Sequence, residues 1–212
     1  MNKKLVQGMM VLAAAVPAGR AAWGQESPVA DQPVTWETSL VGGYFTGGML
    51  ARVKVAGEPV KAEMNTGWLV GVRTGAEEEY LGLELTLAGV FANLDLTADP
   101  AAALPSAQDA SLFLGDLDVL LFPTGQGWAD GRVRPFLCAG PGVAQLNSDF
   151  HAVDGETLFD VNVGAGCKFL LGESGNPVLR VDWRWHKLAG GGSNVQDPLY
   201  RQEFTAGLGW RF

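Results

Sequence analysis

Catalysis needs a nucleophile, a base or a metal, and few residues here could supply one. The 212-residue chain has two histidines, His151 and His186, at a spacing that matches no metal motif, and HExxH is absent. Neither a GxSxG elbow nor a phosphate-cradling loop occurs. Asp116 and Asp118 lie two positions apart, so on a strand they share a face and could form an acid/base pair. The competing reading makes them partners of arginines. Asn147, Asp149, Asp154 and Glu156 gather oxygen ligands, but their spacing departs from the Asp-x-Asp-x-Asp-Gly pattern of a calcium loop. Cys138 and Cys167 are too few for a four-cysteine zinc site, and no CxxC occurs. The expectation is a non-enzyme with no catalytic, cofactor or metal site.

Composition narrows the class. Hydrophobic residues make up 47% and charged residues 18%, yet no apolar run long enough for a membrane helix follows the first 25 positions. The net charge of −8 excludes a basic nucleic-acid footprint. Glycine, at 29 residues, falls inside apolar stretches, as at Gly140, Gly142, Gly164 and Gly166, which suits bent strands. At the N-terminus, Lys3 and Lys4 precede a short apolar segment at 5–16, with Ala22 and Gly24 placed before a cut at Gln25. These parts read as a secretory signal peptide over 1–24, followed by a flexible lead-in at 25–34. A disordered or helical cytosolic start is the alternative.

From 35 to 212 the apolar residues recur at every second position, which is strand periodicity. Phe204, Ala206, Leu208, Trp210 and Phe212 share one face, with Glu203, Thr205, Gly207, Gly209 and Arg211 on the other. Leu179, Val181, Trp183 and Trp185 alternate with Arg180, Asp182, Arg184 and His186 in the same way. Segments 159–169, 81–87 and 111–122 follow suit, and segments 36–45, 68–74 and 134–146 are compatible. That predicts eight strands separated by gaps of roughly 21, 5, 17, 10, 10, 7 and 13 residues. The long gaps alternate with short ones, as in barrels with long outer loops and short periplasmic turns.

Alternation alone does not say which face is inside. A soluble sandwich buries its apolar face, whereas a transmembrane barrel turns it to lipid. The membrane reading gains from aromatics near strand ends, at Trp36, Trp68, Tyr80, Trp183, Trp185, Trp210 and Phe212. It also gains from polar faces of mixed charge. Glu37, Arg73, Glu84, Asp116, Asp118, Asp160, Lys168, Arg180, Asp182, Arg184, Glu203 and Arg211 are expected to form a charge network lining the lumen. The predicted fold is all-β, an eight-stranded antiparallel up-and-down transmembrane barrel, too narrow for a large open pore.

The stretches 134–142 (RPFLCAGPG), 162–169 (NVGAGCKF) and 206–212 (AGLGWRF) resemble small outer-membrane β-barrel proteins, including the outer-membrane protein A barrel and opacity-type surface proteins. Cys138 and Pro141 depart from the small or glycine residues usual in that family. The resemblance covers most of 35–212 and implies location in the bacterial outer membrane. It also implies that Leu208, Trp210 and Phe212 form a terminal signal read by the barrel assembly machinery. It implies little about activity, because such relatives serve as anchors, adhesins, narrow pores and enzymes. Lipid A deacylases use a His-Ser pair on a late strand, but Lys187 and Leu188 follow His186 here.

A loop between the fifth and sixth strands centred between Ala152 and Val153 would set Cys138 opposite Cys167, Phe136 opposite Phe169 and Ala144 opposite Val161. The cysteines would then lie about 4.5–5.5 Å apart on the lipid face, within reach of a disulfide in the oxidising periplasm. Two small apolar fillers are the alternative. The expected role is structural or surface-interacting, with outer-membrane lipid as solvent and an extracellular ligand met by the outer loops. The rivals are a lipid-modifying enzyme, a narrow channel, and a soluble periplasmic barrel whose aliphatic faces point inward.

Overall fold

The computed structural model describes residues 34–55, 58–98, 108–149, 155–190 and 198–212. The signal-peptide expectation, nearly all of the lead-in, and the loop residues His151 and Asp154 lie outside them. Among the described residues the chain forms ten antiparallel strands: β1 (Thr35–Phe45), β2 (Gly48–Val55), β3 (Glu58–Met64), β4 (Gly67–Glu77), β5 (Leu81–Ala98), β6 (Gln108–Leu121), β7 (Val133–Ser148), β8 (Thr157–Leu170), β9 (Pro177–Gly190) and β10 (Leu199–Arg211). Eight of them, β1 and β4 to β10, close into an up-and-down barrel. In it β1 pairs with both β4 and β10, and β5 with β6.

The gap that the sequence left as a first outer loop is itself a hairpin, β2–β3. β5 is the longest strand; it carries β4 from Gly82 to Phe91 and then β3 from Leu94 to Ala98. On the other side, Arg201 of β10 donates to the carbonyls of Gly48 (3.2 Å) and Met49 (2.9 Å). The hairpin thus continues the wall above β1 and β4, which are shorter. Strand extension also corrects the loop pattern. β5 runs on to Ala98, so its connection to β6 shrinks to 99–107. At the opposite end the β6–β7 connection at 122–132, pinned by a Trp128–Val133 bridge, is longer than the β7–β8 connection at 149–156. Strand length, more than loop length, distinguishes the two ends.

Side-chain placement answers the question of faces. Leu83, Leu85, Leu117, Val119, Val161, Val163, Val181 and Leu208 are exposed, Leu208 at 67%, while Arg73, Arg180, Arg184 and Asp118 are buried at 0–1%. A soluble barrel could not leave so broad an aliphatic girdle in water. A bilayer solvates it, and a lumen of paired charges is the matching interior. The soluble reading, which needs aliphatic faces turned inward here, is set aside.

The polarity then reverses along the same strands. On β5, Leu81, Leu83, Leu85, Leu87 and Phe91 point outward, followed by Asn93, Asp95 and Thr97; the inward positions change from Glu84 and Thr86 to Ala88, Val90, Leu94 and Leu96. On β3, Val60, Ala62 and Met64 are buried and Lys61 and Glu63 exposed. The reversal falls at a cross-strand row of aromatics, Tyr44–Trp68–Phe91, in which the first two rings are 4.2 Å apart. Residues 81–91 match the ~9–11 residues with which a tilted strand crosses hydrocarbon. The apolar core starts just below that row, at Leu69, Val90 and Leu112, and continues above it through Phe45 and Leu94, so the upper barrel is organised as a water-soluble one.

Candidate functional site in the barrel lumen

Strands place a side chain inward at every second residue, so each strand can deliver a column of charge to the lumen. β9 delivers the longest column, with Arg180, Asp182, Arg184 and His186 all buried. Glu84 of β5 accepts from two of these, Arg180 Nη1 at 2.6 Å and Arg184 Nη2 at 2.6 Å. Arg180 also grips Asp182, at 2.8 and 2.9 Å. Arg73 of β4 reaches Asp182 at 2.7 Å and pairs with Glu203 of β10. Arg184 pairs with Asp118 of β6, which also accepts from Asn162 of β8 at 2.8 Å.

Nearer the termini, Lys168 of β8 bridges Glu37 of β1 (3.0 Å) and Glu77 of β4. Arg134 of β7 donates to Glu77 at 2.9 Å and lies over the Phe122 ring at 4.2 Å. Phe122 packs with Phe136, Leu120 and Cys138 to close that end. Arg211 stands at its rim, 4.0 Å from Glu77. All eight barrel strands contribute a charge. In so dry a space the attraction within each pair roughly offsets its desolvation, but deleting one partner strands the other.

Of the twelve residues expected in the lumen, eleven are buried and Arg211 is partly exposed. Nine of the buried ones pair with an oppositely charged side chain, Asp160 meets the His186 imidazole, and Asp116 has no basic partner. Glu77, Arg134 and Arg201 were missed. Glu77 falls beyond the expected segment 68–74, yet it keeps the phase of Arg73 on a β4 that runs on to it. Arg134 was missed because both faces of β7 carry apolar residues. His186, on the polar face of its segment, is wholly buried, with Nδ1 2.7 Å from Asp160 and Nε2 3.4 Å from Glu203. Leu208, Trp210 and Phe212 are exposed at the end of β10.

The expected cysteine pairing is corrected. β7 and β8 register Cys138 with Gly164 and Cys167 with Pro135, three residues from the expected alignment. An odd displacement moves one member of a pair to the other face. Cys138 accordingly lies inside, against Phe122 and Phe136, while Cys167 is on the outer wall, and both are free thiols. This register buries Arg134, Phe136, Ala144 and Leu146 and turns Leu137 and Val143 outward.

No family model matches the chain, and no curated protein matches it. Among solved structures it is similar to the outer membrane protein OprG from Pseudomonas aeruginosa, with a TM-score of 0.57 and 13% identity over 83% of this chain and 95% of that one. It is also similar to Neisserial surface protein A, with a TM-score of 0.52 and 14% identity over 85% of this chain and 99% of that one. At such identities the likeness is one of fold: this chain has the closed eight-stranded fold of small outer-membrane barrels.

Proposed function

We propose that this protein is an integral barrel of the bacterial outer membrane whose lumen is a structural plug and whose upper storey is the working surface. The reversal of polarity along β5 carries this reading. Below the Tyr44–Trp68–Phe91 row the wall suits hydrocarbon, and above it the same wall suits water. The upper storey, with the β2–β3 hairpin and the connections at 99–107, 149–156 and 191–198, then stands outside the cell, while the termini face the periplasm. Its role is surface interaction with an extracellular ligand or structural support of the envelope, not enzymatic turnover. The exposed Leu208, Trp210 and Phe212 would serve the barrel assembly machinery during insertion.

The interior argues against conduction as the main role. Buried ion pairs cross the lumen and an apolar core caps it. Planar-bilayer recordings of the refolded protein are expected to show no unitary steps. Protease added to intact cells is expected to cut within 46–66 and to leave the lower barrel whole. Regular conductance steps would make it a narrow channel, and resistance of the hairpin in intact cells would invert or abolish the proposed orientation.

A further inference from the structure

Asp116 breaks the pairing rule that the rest of the lumen obeys. Among the described residues every other buried acid faces a basic side chain within 4.0 Å. Asp116 is 2% exposed, and neither of its carboxylate oxygens receives a hydrogen bond. Its neighbours make this worse in charge terms. One ligand-type atom from each of Asp116, Asp160 and His186 lies within 4.8 Å of the other two. Two buried carboxylates therefore converge beside one imidazole. An uncompensated pair of this kind is costly unless something positive sits between them.

The wall is shaped for this convergence. Gly142 is the cross-strand partner of both Asp116 and Asp160, one on each side. A Cβ at Gly142 would collide with Oδ1 of Asp116, so the missing side chain is the space through which that carboxylate lies. Directly above, the next inward residues on the three strands are Leu114, Leu158 and Leu188, all buried. The cluster thus sits at the floor of the apolar core, shielded from water on that side.

We propose that Asp116, Asp160 and His186 bind a divalent transition-metal cation, Zn²⁺ by its donor set, tying β6, β8 and β9 together across the lumen. Imidazole nitrogen and carboxylate oxygen both suit Zn²⁺ at about 2.0–2.2 Å. At tetrahedral angles, bonds of that length hold neighbouring ligand atoms about 3.3–3.6 Å apart, so the 2.7 Å hydrogen bond between Nδ1 of His186 and Oδ2 of Asp160 has to open as the metal enters. Nε2 of His186 makes no hydrogen bond in this structure and lies 3.4 Å from Glu203, which is itself fixed by Arg73, so with Nδ1 on the metal a small turn of the ring would let Nε2–H donate to that carboxylate. A carboxylate behind the ligating histidine is the usual outer support of a zinc site. Asn162 is the nearest candidate for a fourth donor by register: it is cross-strand from His186 and two residues from Asp160, its Nδ2 donates to Asp118, and its buried Oδ1 takes no hydrogen bond.

The test is to refold the chain into detergent with Zn²⁺, remove free metal, and measure zinc per chain by mass spectrometry on the folded, heat-shiftable band. The site predicts about one zinc per chain in wild type and less than about a tenth of that in Asp116→Asn and His186→Gln. Cobalt in place of zinc should give visible ligand-field bands that both substitutions abolish. Wild type that retains neither zinc nor cobalt overturns the proposal whatever the variants do, and leaves a proton shared between Asp116 and Asp160. Metal retained equally by wild type and both variants also overturns it, since the binding would then lie elsewhere.

Discussion

Arg180 and Arg184 share the carboxylate of Glu84, Arg180 donating to Oε2 and Arg184 to Oε1, both at 2.6 Å, with a longer 3.3 Å contact from Arg180 to Oε1. These arginines stand four residues apart on β9 and face Glu84 across the lumen, so one acid holds two cations that would otherwise repel each other. Glu84→Gln keeps the shape and removes the charge. It should cost about 3–5 kcal/mol, the price of stranding a buried ion. Urea titration of the folded band checks this, and a loss below about 1 kcal/mol would mean that water or another acid already serves the arginines.

The outward aliphatic band gives a second expectation. Val119→Arg and Val161→Arg, both on exposed positions of the lower barrel, should destabilise the protein in lipid by about 2–4 kcal/mol. Thr97→Arg lies above the aromatic row and should be close to neutral. Equal effects at the three positions would remove the membrane boundary drawn here.

Gly142 and Asp116 should be energetically coupled. Gly142→Ala forces a methyl group onto the Asp116 carboxylate and should cost about 1–3 kcal/mol by overpacking. In the double variant Asp116→Ala with Gly142→Ala, part of that loss should be recovered, with a coupling of about 0.5–3 kcal/mol. Strict additivity in a double-mutant cycle would show that the two do not meet.

The cysteines should behave as two separate thiols. Cys138 is buried in the lumen and Cys167 is partly exposed on the outer wall. An apolar maleimide should label Cys167 in the folded barrel and reach Cys138 only after unfolding. Reductant should not change gel mobility, and an oxidation-dependent mobility change would restore the disulfide.

Much of the barrel was legible because its lower half obeys one strict alternation. Over 159–169, 177–185 and 204–210 the outward positions of β8, β9 and β10 are apolar or small and the charges fall on the inward face, so Asp160, Arg180 and Glu203 could be assigned to the lumen. β7 resisted because Phe136 and Cys138 face inward while Leu137 and Val143 face outward, leaving glycine and proline at 140–142 to hide the parity. The β2–β3 hairpin resisted for another reason. Its outward Lys61 and Glu63 meet water, so the stretch looked like a polar loop. The unpaired Asp116 could not be seen at all, because partnership across a barrel depends on register.

The inversion of polarity at the Tyr44–Trp68–Phe91 row also fixes how deep the protein floats. Sinking by one pair of residues, about 7 Å of strand, would draw Asp95, Lys61 and Glu63 toward hydrocarbon. Rising by the same amount would lift leucines such as Leu87 into water. Both displacements are opposed around much of the circumference at once, so the barrel has a single draught. Thinning or thickening of the surrounding bilayer must then be met by the lipids, which makes the protein a local gauge of membrane thickness.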